Sequence, residues 1–392
     1  MKKVLVFRNN VLPVSETFIR DQVRYLTGWA PILAGYRVVT GGLDLKGITT
    51  YVFPGLNSGK FQRWRLRCCQ WFGIAHAGTT RALLNLDVDI VHAHFGTDAV
   101  DIWPSVRRLG LPMLVTLHGY DINIYRGWWE AGRGGLRRYV YPRRLLQMAR
   151  NPKVRFIAVS EAIKQRAIEY GISAEKVSVS YVGVDTQRFK PGGLPLYQRN
   201  NKILFVGRMV ENKSPVLLIK AAAAISDQVD NLELVMIGNG PLLDEAMKAA
   251  SECLLPVQFL GARSTEDVIQ NLHQVKLLCL PSIKIDSGAS EGLGQVLLEA
   301  QACGVPVIGS NIGGIPEALV EGTTGLLLST VTQKELEDCL LKYFSEFIGS
   351  AEAAIHASKA ARDFAKTSFN VITCSRHMER IYEESSNGTG HV

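Results

Sequence analysis

The feature that most constrains this chain is an alternation of short apolar runs with helical patterns that continues from end to end and is interrupted once. Val4–Phe7, Ile32–Tyr36, Ile48–Phe53, Asp89–Phe95, Met113–His118, Arg155–Ser160 and Val177–Val184 read as strands, and most are followed by a helical segment. Ser15–Leu26 carries a helical pattern with Ser15 as its N-cap, and Phe61–Leu86 reads as one long helical stretch. Strands buried on both faces by intervening helices form parallel, doubly wound sheets. Pro191-Gly192-Gly193-Leu194-Pro195 and the polar stretch to Asn201 break the rhythm. Proline and glycine clustered in this way predict a linker. The alternation then restarts at Ile203–Val206 and continues through Leu232–Ile237, Val257–Leu260, Leu277–Leu280, Val305–Gly309 and Gly325–Leu328.

With 392 residues the chain has room for two cores of roughly 150–200 residues each. The expected architecture is α/β, with two Rossmann-like doubly wound domains facing each other across a cleft. The expected boundaries are an N-terminal domain over 1–190, a linker over 191–201, a second domain over 202–365, and a C-terminal helix over 366–392 that packs back on the first domain and ends in a frayed tail. In open α/β sheets, ligands bind outside the carboxyl ends of the strands, where the strand order reverses.

Composition narrows the function classes. Hydrophobic residues at 47% and charged residues at 20% are those of a globular enzyme. No apolar run reaches the length of about 18 residues that a spanning helix needs, and Arg8-Asn9-Asn10 cuts off any signal-peptide core after Met1-Lys2-Lys3, so a cytoplasmic location is expected. The seven cysteines, at 68, 69, 253, 279, 303, 339 and 374, form no C-x-x-C pair, which predicts reduced thiols and no structural metal. The net charge of +8 is unevenly spread: residues 1–150 hold 21 Lys and Arg against 9 Asp and Glu, a net +12, and the remainder holds 23 against 27, a net −4. A positive excess confined to the first domain predicts an anionic partner there. Its basic clusters, Arg63-Trp64-Arg65-Leu66-Arg67, Arg107-Arg108 and Arg133 to Arg144, lie among or beside Trp64, Trp71-Phe72 and Trp128-Trp129. Arginine interleaved with aromatics suits an anionic membrane surface. No nucleic-acid-binding motif accompanies the charge.

The densest chemical signal is Ser287-Gly288-Ala289-Ser290-Glu291-Gly292-Leu293-Gly294, running into an apolar helix that carries Glu299. Glycines at a helix start let the backbone approach a ligand, and the free N–H groups there favour a phosphate. Eight residues of helix between Glu291 and Glu299 would separate them by about 12 Å, the span from a sugar ring across a diphosphate to a ribose. Val206-Gly207-Arg208-Met209-Val210-Glu211-Asn212-Lys213 follows the first strand of the second domain, and fixed Arg and Lys charges would stabilise a departing diphosphate. Asp87-Val88-Asp89 leads into a strand and reads as a turn. His92-Ala93-His94 lacks a third ligand at metal spacing and reads as structural.

Together, Gly207-Arg208…Lys213, Glu291…Glu299, Gly304-Val305-Pro306-Val307 and Gly313-Gly314-Ile315-Pro316-Glu317 resemble the retaining glycosyltransferases of family 4, which have the GT-B fold. In the first half, His118-Gly119-Tyr120-Asp121 resembles the family's His-Gly-x-Asp segment. The loop Arg8–Phe18, with Pro13-Val14-Ser15-Glu16-Thr17-Phe18, resembles members that build bacterial exopolysaccharides such as colanic acid. The resemblance implies that Arg208 and Lys213 hold the diphosphate, Glu299 the ribose, and Glu291 the donor sugar. Gly292, Leu293 and Gly294 would offer backbone N–H groups, and Gly207 would belong to the same donor site. His118 would lie near the sugar's anomeric carbon, and Gly261 to Arg263 would seat the base. Ser15, Glu16, Thr17 and Asp121 would contact donor or acceptor.

The implied reaction is front-face displacement with retention. It needs no metal or resident cofactor and uses a UDP- or GDP-linked sugar as co-substrate. A glycan or polyprenyl-diphosphate-linked acceptor would be reached at the cytoplasmic face of the inner membrane. Two other classes stay open on sequence: a catalytically silent nucleotide-sugar-binding subunit, and a nicotinamide-dependent dehydrogenase. The dehydrogenase is disfavoured because no G-x-G-x-x-G follows Val4–Phe7 or Ile203–Val206, and Gly238-Asn239-Gly240 lacks the third glycine.

Overall fold

A computed structural model of the chain describes residues 1–13, 16–56 and 59–387. The chain divides into two compact units, residues 1–183 with 371–392, and residues 184–370. The first holds a seven-stranded sheet: β1 (Lys3–Phe7), β2 (Ala30–Gly35), β3 (Thr50–Val52), β4 (Ile90–His94), β5 (Met113–Leu117), β6 (Val154–Ala158) and β7 (Val177–Val179), in the spatial order 3-2-1-4-5-6-7. The second holds β8 (Lys202–Val206), β9 (Glu233–Ile237), β10 (Val257–Gly261), β11 (Leu277–Leu280), β12 (Val307–Ser310) and β13 (Gly325–Leu328), in the order 10-9-8-11-12-13. Every pairing in both sheets is parallel. Both sheets are therefore doubly wound, with the order reversing between β1 and β4 and between β8 and β11. The crossovers on either side of each reversal lie on opposite faces.

The apolar runs became strands because each is buried on both sides: all five residues of β4 and of β5 are buried, as are all four of β11 and β12. The expected long helix over 61–86 is two helices, Lys60–Phe72 and Ala77–Leu86. Gly73 ends the first in the left-handed conformation, with φ of 67°, and the His76 ring accepts the Thr79 N–H to cap the second. Asp87, with φ of 50°, is the left-handed residue that ends the second helix, and Asp89 accepts the Lys3 N–H, so this pair of aspartates forms the expected turn.

The expected linker over 191–201 belongs instead to the second unit. Arg199 is buried there, and its guanidinium donates to the carbonyls of Leu194, Leu272 and Val275 at 2.9 Å each. Arg362 likewise donates to the carbonyls of Thr186, Phe189 and Ala302. A composition rich in Pro and Gly marks an irregular backbone, and here arginine donors fasten that backbone to the sheet domain. The chain passes between units at 183–184 and again at 370–371.

The helix Val371–Asn387 completes the core of the first unit. Met378, Ile381 and Tyr382 pack with Trp29, Ile19 and Val23 against Val4, Val6, Ile90 and Leu114 of the sheet. The Trp29 and Tyr382 rings meet edge-on at 5.4 Å, and Glu379 accepts the backbone N–H groups of Thr27 and Gly28. Tyr382 is fully buried, and its hydroxyl meets His92 Nδ1 at 2.7 Å. Tyr382→Ala should therefore lower the unfolding free energy of the first unit by about 3–5 kcal/mol, whereas Tyr382→Phe should cost about 1 kcal/mol. Urea titrations of the two variants, followed by Trp fluorescence, check both values.

Candidate functional site

In the second unit, the expected donor residues gather at the carboxyl edge of the sheet around the reversal between β8 and β11. The loop Gly207–Lys213 leaves β8 and ends in a 3-10 turn over Glu211–Lys213. It is clamped to the loop after β9: Met209 N–H donates to Asn239 O, and Leu242 N–H to Met209 O. This contact explains Gly238, whose φ is 134° and where a Cβ would lie 1.9 Å from Gly207 O. The incomplete glycine fingerprint thus serves a backbone-to-backbone approach. On the other side of the loop, Ile283 N–H donates to Asn212 O, which draws the segment after β11 to the same place.

This closure brings Lys213 and Glu291 into an ion pair across 78 residues of sequence. Ser282 Oγ donates to the same Glu291 oxygen at 3.1 Å. The Glu291 backbone is covered by the glycine turn: Gly314 N–H donates to Glu291 O, and a Cβ on Gly313 (φ 58°) would lie 2.1 Å from that oxygen. Ser310, at the end of β12, donates to Ser282 O. Four loops from different parts of the second half therefore hold one carboxylate and one ammonium in contact. Arg208 is exposed beside them, and the Lys213 side chain passes Gly207. Gly261 ends β10 with φ of 69°, 3.5 Å from the Asn239 side chain as measured from its ideal Cβ, and Arg263 is exposed two residues on.

The helix Gln295–Ala302 begins later than the sequence pattern suggested, because Gly294 takes φ of 80° and caps it. Glu291, Gly292 and Leu293 precede it in the turn. The separation of about 12 Å expected from eight residues of helix does not hold, since only the five residues from Gln295 to Glu299 lie on the helix. Glu299 is half-buried on that helix, and Gly292, Leu293 and Gly294 are buried.

In the first unit a second constellation forms at the reversal between β1 and β4. Arg8 leaves β1 and is embraced by two carboxylates: Glu16 in a two-point contact and Asp98 in an ion pair. Burial opposes the Arg8 charge, but Asp98 and Glu16 outweigh it and hold its pKa above the ordinary value. Burial likewise raises the Glu16 pKa, against the pull of Arg8. The guanidinium lies 4.3 Å from the centre of the Phe95 ring, and that ring sits 4.4 Å from His118. Phe95 reaches this position with φ of 69°, a left-handed backbone that costs an aromatic residue energy and is held by the packing around it. Phe18 covers His118 at 5.0 Å, and His94 Nδ1 meets His118 Nε2 at 2.9 Å.

Two expectations change here. Asp121, expected to contact donor or acceptor, is fully buried, and its oxygens accept the N–H groups of Gly96, His118 and Gly119. It holds the turn that presents His118, with no exposed surface of its own. Glu16 is occupied by Arg8, so its role is likewise to hold the first loop. Thr17 opens the helix Thr17–Arg24 and is half-buried, and Ser15 lies outside the described residues. His92, half of the tempting His-x-His pair, has both ring nitrogens bonded to hydroxyls, those of Tyr382 and Thr116, and burial lowers its pKa to about 3. Among the described residues no group of three or more His, Cys, Asp or Glu is arranged to hold a metal.

Arg8, His94, Phe95, Asp98 and Ser282 sit in no local motif that marks them as site residues. The signal for Arg8 was present, since a charged residue immediately after the first strand stands where ligands bind. Its partner Asp98 is 90 residues away, and no local pattern connects the two.

Comparison with known proteins agrees with this geometry. Residues 29–188 match the model of "Glycosyltransferase Family 4", and residues 186–363 match that of "Glycosyl transferases group 1". Among curated proteins, the D-inositol 3-phosphate glycosyltransferase of Corynebacterium glutamicum is 26% identical over 77% of this chain and 75% of its own length. The amylovoran biosynthesis glycosyltransferase AmsK of Erwinia amylovora is 26% identical over 75% of this chain and 70% of its own. Among solved structures, HepE of Anabaena in complex with UDP superposes with a TM-score of 0.77 at 19% identity, covering 98% of this chain and 100% of HepE. A glycosyltransferase of Rickettsia africae gives 0.74 at 21% identity, covering 98% of each chain. The two matched regions between them run from Trp29 to Asp363 and take in the whole second sheet, all of the first sheet but β1, and the site residues from His118 to Glu299, and the chain belongs to the GT-B glycosyltransferases of family 4, enzymes that transfer glycosyl groups.

Proposed function

We propose that this chain is a retaining glycosyltransferase that moves a sugar from a UDP- or GDP-linked donor to a glycan carried on a polyprenyl diphosphate, in cell-surface or exopolysaccharide assembly. The observation that carries the reading is the Lys213–Glu291 pair at the strand-order reversal of the second sheet, with Arg208 exposed beside it. One carboxylate to accept hydrogen bonds from sugar hydroxyls, and two cations to meet a diphosphate, are what a nucleotide-sugar site needs. HepE was solved with UDP and with UDP-glucose, and AmsK is named for amylovoran biosynthesis. The first supports a nucleotide-sugar donor and the second a polysaccharide product.

In the proposed step, the C1–O bond to the diphosphate breaks and its electron pair stays on the phosphate oxygen. The acceptor oxygen bonds to C1 on the same face, and its proton passes to the departing phosphate. Arg208 and Lys213 stabilise the charge that develops there, so the reaction proceeds without a divalent cation. Glu291 exchanges its bond to Lys213 for hydroxyls of the donor sugar as Lys213 turns to the diphosphate, and Glu299 takes the ribose.

The first unit supports docking on an anionic bilayer from the cytoplasmic side. On the helix Lys60–Phe72, Phe61, Trp64 and Phe72 are 67%, 62% and 68% exposed, and Arg63, Arg65 and Arg67 are exposed among them. Arg144 donates to the carbonyls of Gln70 and Trp71 and fastens this helix to the next layer. The expected cluster from Arg133 to Arg144 contributes less, because Trp129 beside it is buried against Tyr120 and Tyr141. No helix among the described residues is long and apolar enough to cross a membrane, so on this reading attachment is by the surface alone.

Three outcomes test the proposal. Across a panel of UDP, GDP and ADP sugars, one donor should raise the melting temperature and support transfer equally with and without EDTA; loss of transfer in EDTA would overturn the metal-free step. Arg208→Ala and Lys213→Ala should each lower kcat by about 100- to 1,000-fold while circular dichroism shows the fold retained. Wild-type turnover in either would remove it from the diphosphate site. The protein should sediment with phosphatidylglycerol vesicles at low salt and not with phosphatidylcholine vesicles, and Phe61→Ser with Trp64→Ser should abolish that difference.

A further inference from the structure

Three histidine rings lie in series at the carboxyl edge of the first sheet. His92 and His94 share one face of β4 with ring centres 4.4 Å apart, and His94 and His118 are 5.2 Å apart. The His92 nitrogens are both satisfied, by Tyr382 and Thr116. His94 and His118 share one contact, Nδ1 to Nε2 at 2.9 Å. Burial holds both of these rings far below the usual histidine pKa, so each is neutral, with one N–H and one lone pair. One ring must then donate and the other accept.

The far nitrogen of His94 decides which. His94 Nε2 is buried and has no hydrogen-bond partner among the described residues. If it carried the proton, a buried N–H would be orphaned, the rarer and costlier of the two defects; a buried lone pair without a donor is better tolerated. The His94 proton therefore sits on Nδ1 and is donated to His118 Nε2. That leaves the His118 proton on Nδ1, the tautomer that an imidazole free in water disfavours. Phe18 and Phe95 flank His118, but the residue is only half-buried and its Nδ1 is not among the buried nitrogens left without a partner, so a proton there is not orphaned as one on His94 Nε2 would be.

We propose that His94 is a positioning residue that locks His118 in the Nδ1–H tautomer, so that His118 presents a hydrogen-bond donor, and not a base, to a hydroxyl oxygen of the bound substrate. This rests on the reading of the chain as a sugar transferase whose His118 touches substrate. It deepens that reading by assigning His118 the work of orienting a hydroxyl and leaving acceptor deprotonation to the departing phosphate.

The test reads the tautomer without substrate. In the full-length protein labelled with 15N-histidine, with His118 assigned by its loss in His118→Gln, the bound proton should correlate with Nδ1, and Nε2 should show the shift of an acceptor nitrogen. His94→Phe keeps the ring volume and removes the donor, so His118 should revert to the Nε2–H form, and kcat/KM should fall about tenfold. His94→Asn places an amide N–H near the lost Nδ1–H and should restore both the Nδ1–H signature and most of the activity. A proton on His118 Nε2 in the wild-type protein overturns the proposal, as does an unchanged tautomer in His94→Phe. Because the tautomer is read in the unliganded protein, its failure leaves the transferase reading standing, and failure of every nucleotide sugar to react leaves the tautomer result standing.

Discussion

A parallel sheet must carry each connection back across its own length, so all the loops that leave strands collect at one edge, and adjacent crossovers separate only where the strand order reverses. In the second unit that point lies between β8 and β11, and the loops leaving these two strands deliver Lys213 and the segment leading to Glu291. The backbone there is tied before the side chains meet: Met209 to Asn239, Asn212 to Ile283, Glu291 to Gly314. Each tie joins loops that leave different strands. The chemistry of the site depends on this arrangement, because an ammonium and a carboxylate 78 residues apart are placed by four loops acting together.

The first unit solves a harder electrostatic problem at the equivalent reversal. Arg8 is a largely buried cation, and two carboxylates compensate it, Glu16 just before the following helix and Asp98 on the helix after β4. Removing Arg8 would leave two carboxylates without their shared cation, the costly case for an internal ion pair. The same cation stacks on Phe95, and Phe95 stacks on His118, so the charge network and the histidine orientation are one packed object. The strained φ of Phe95 is the local cost of that packing. Neutral histidines beside it follow from burial, which excludes a second positive charge so close to Arg8.

The architecture was legible in the sequence because strands buried on both faces leave continuous apolar runs, and these runs lie within a few residues of the observed strands. The loop segments that bring Lys213 and Glu291 together were legible because each motif is local and follows or precedes an identifiable element. What could not be read is where the chain divides. Pro191 to Asn201 has the composition of a linker, and only Arg199 and Arg362, reaching carbonyls far away in sequence, show that it is part of the second unit. The helix boundary at Gly294 was hidden for a related reason: Glu291, Gly292 and Leu293 fit a helical spacing, and the left-handed conformation of one glycine decides otherwise.

The sequence by itself determined two doubly wound sheets, the segments that face their carboxyl edges and the family to which the chain belongs, because hydrophobic period and short motifs are properties of neighbouring residues. Only the tertiary structure decided that Asp121 and Glu16 are buried and bonded to their own loops, that Trp129 is core while Phe61 and Trp64 are surface, and that His94 backs His118. Those outcomes are set by which side chain reaches which partner across tens of residues. Burial and hydrogen bonding are properties of the assembled neighbourhood, and a residue's own name and spacing do not contain them.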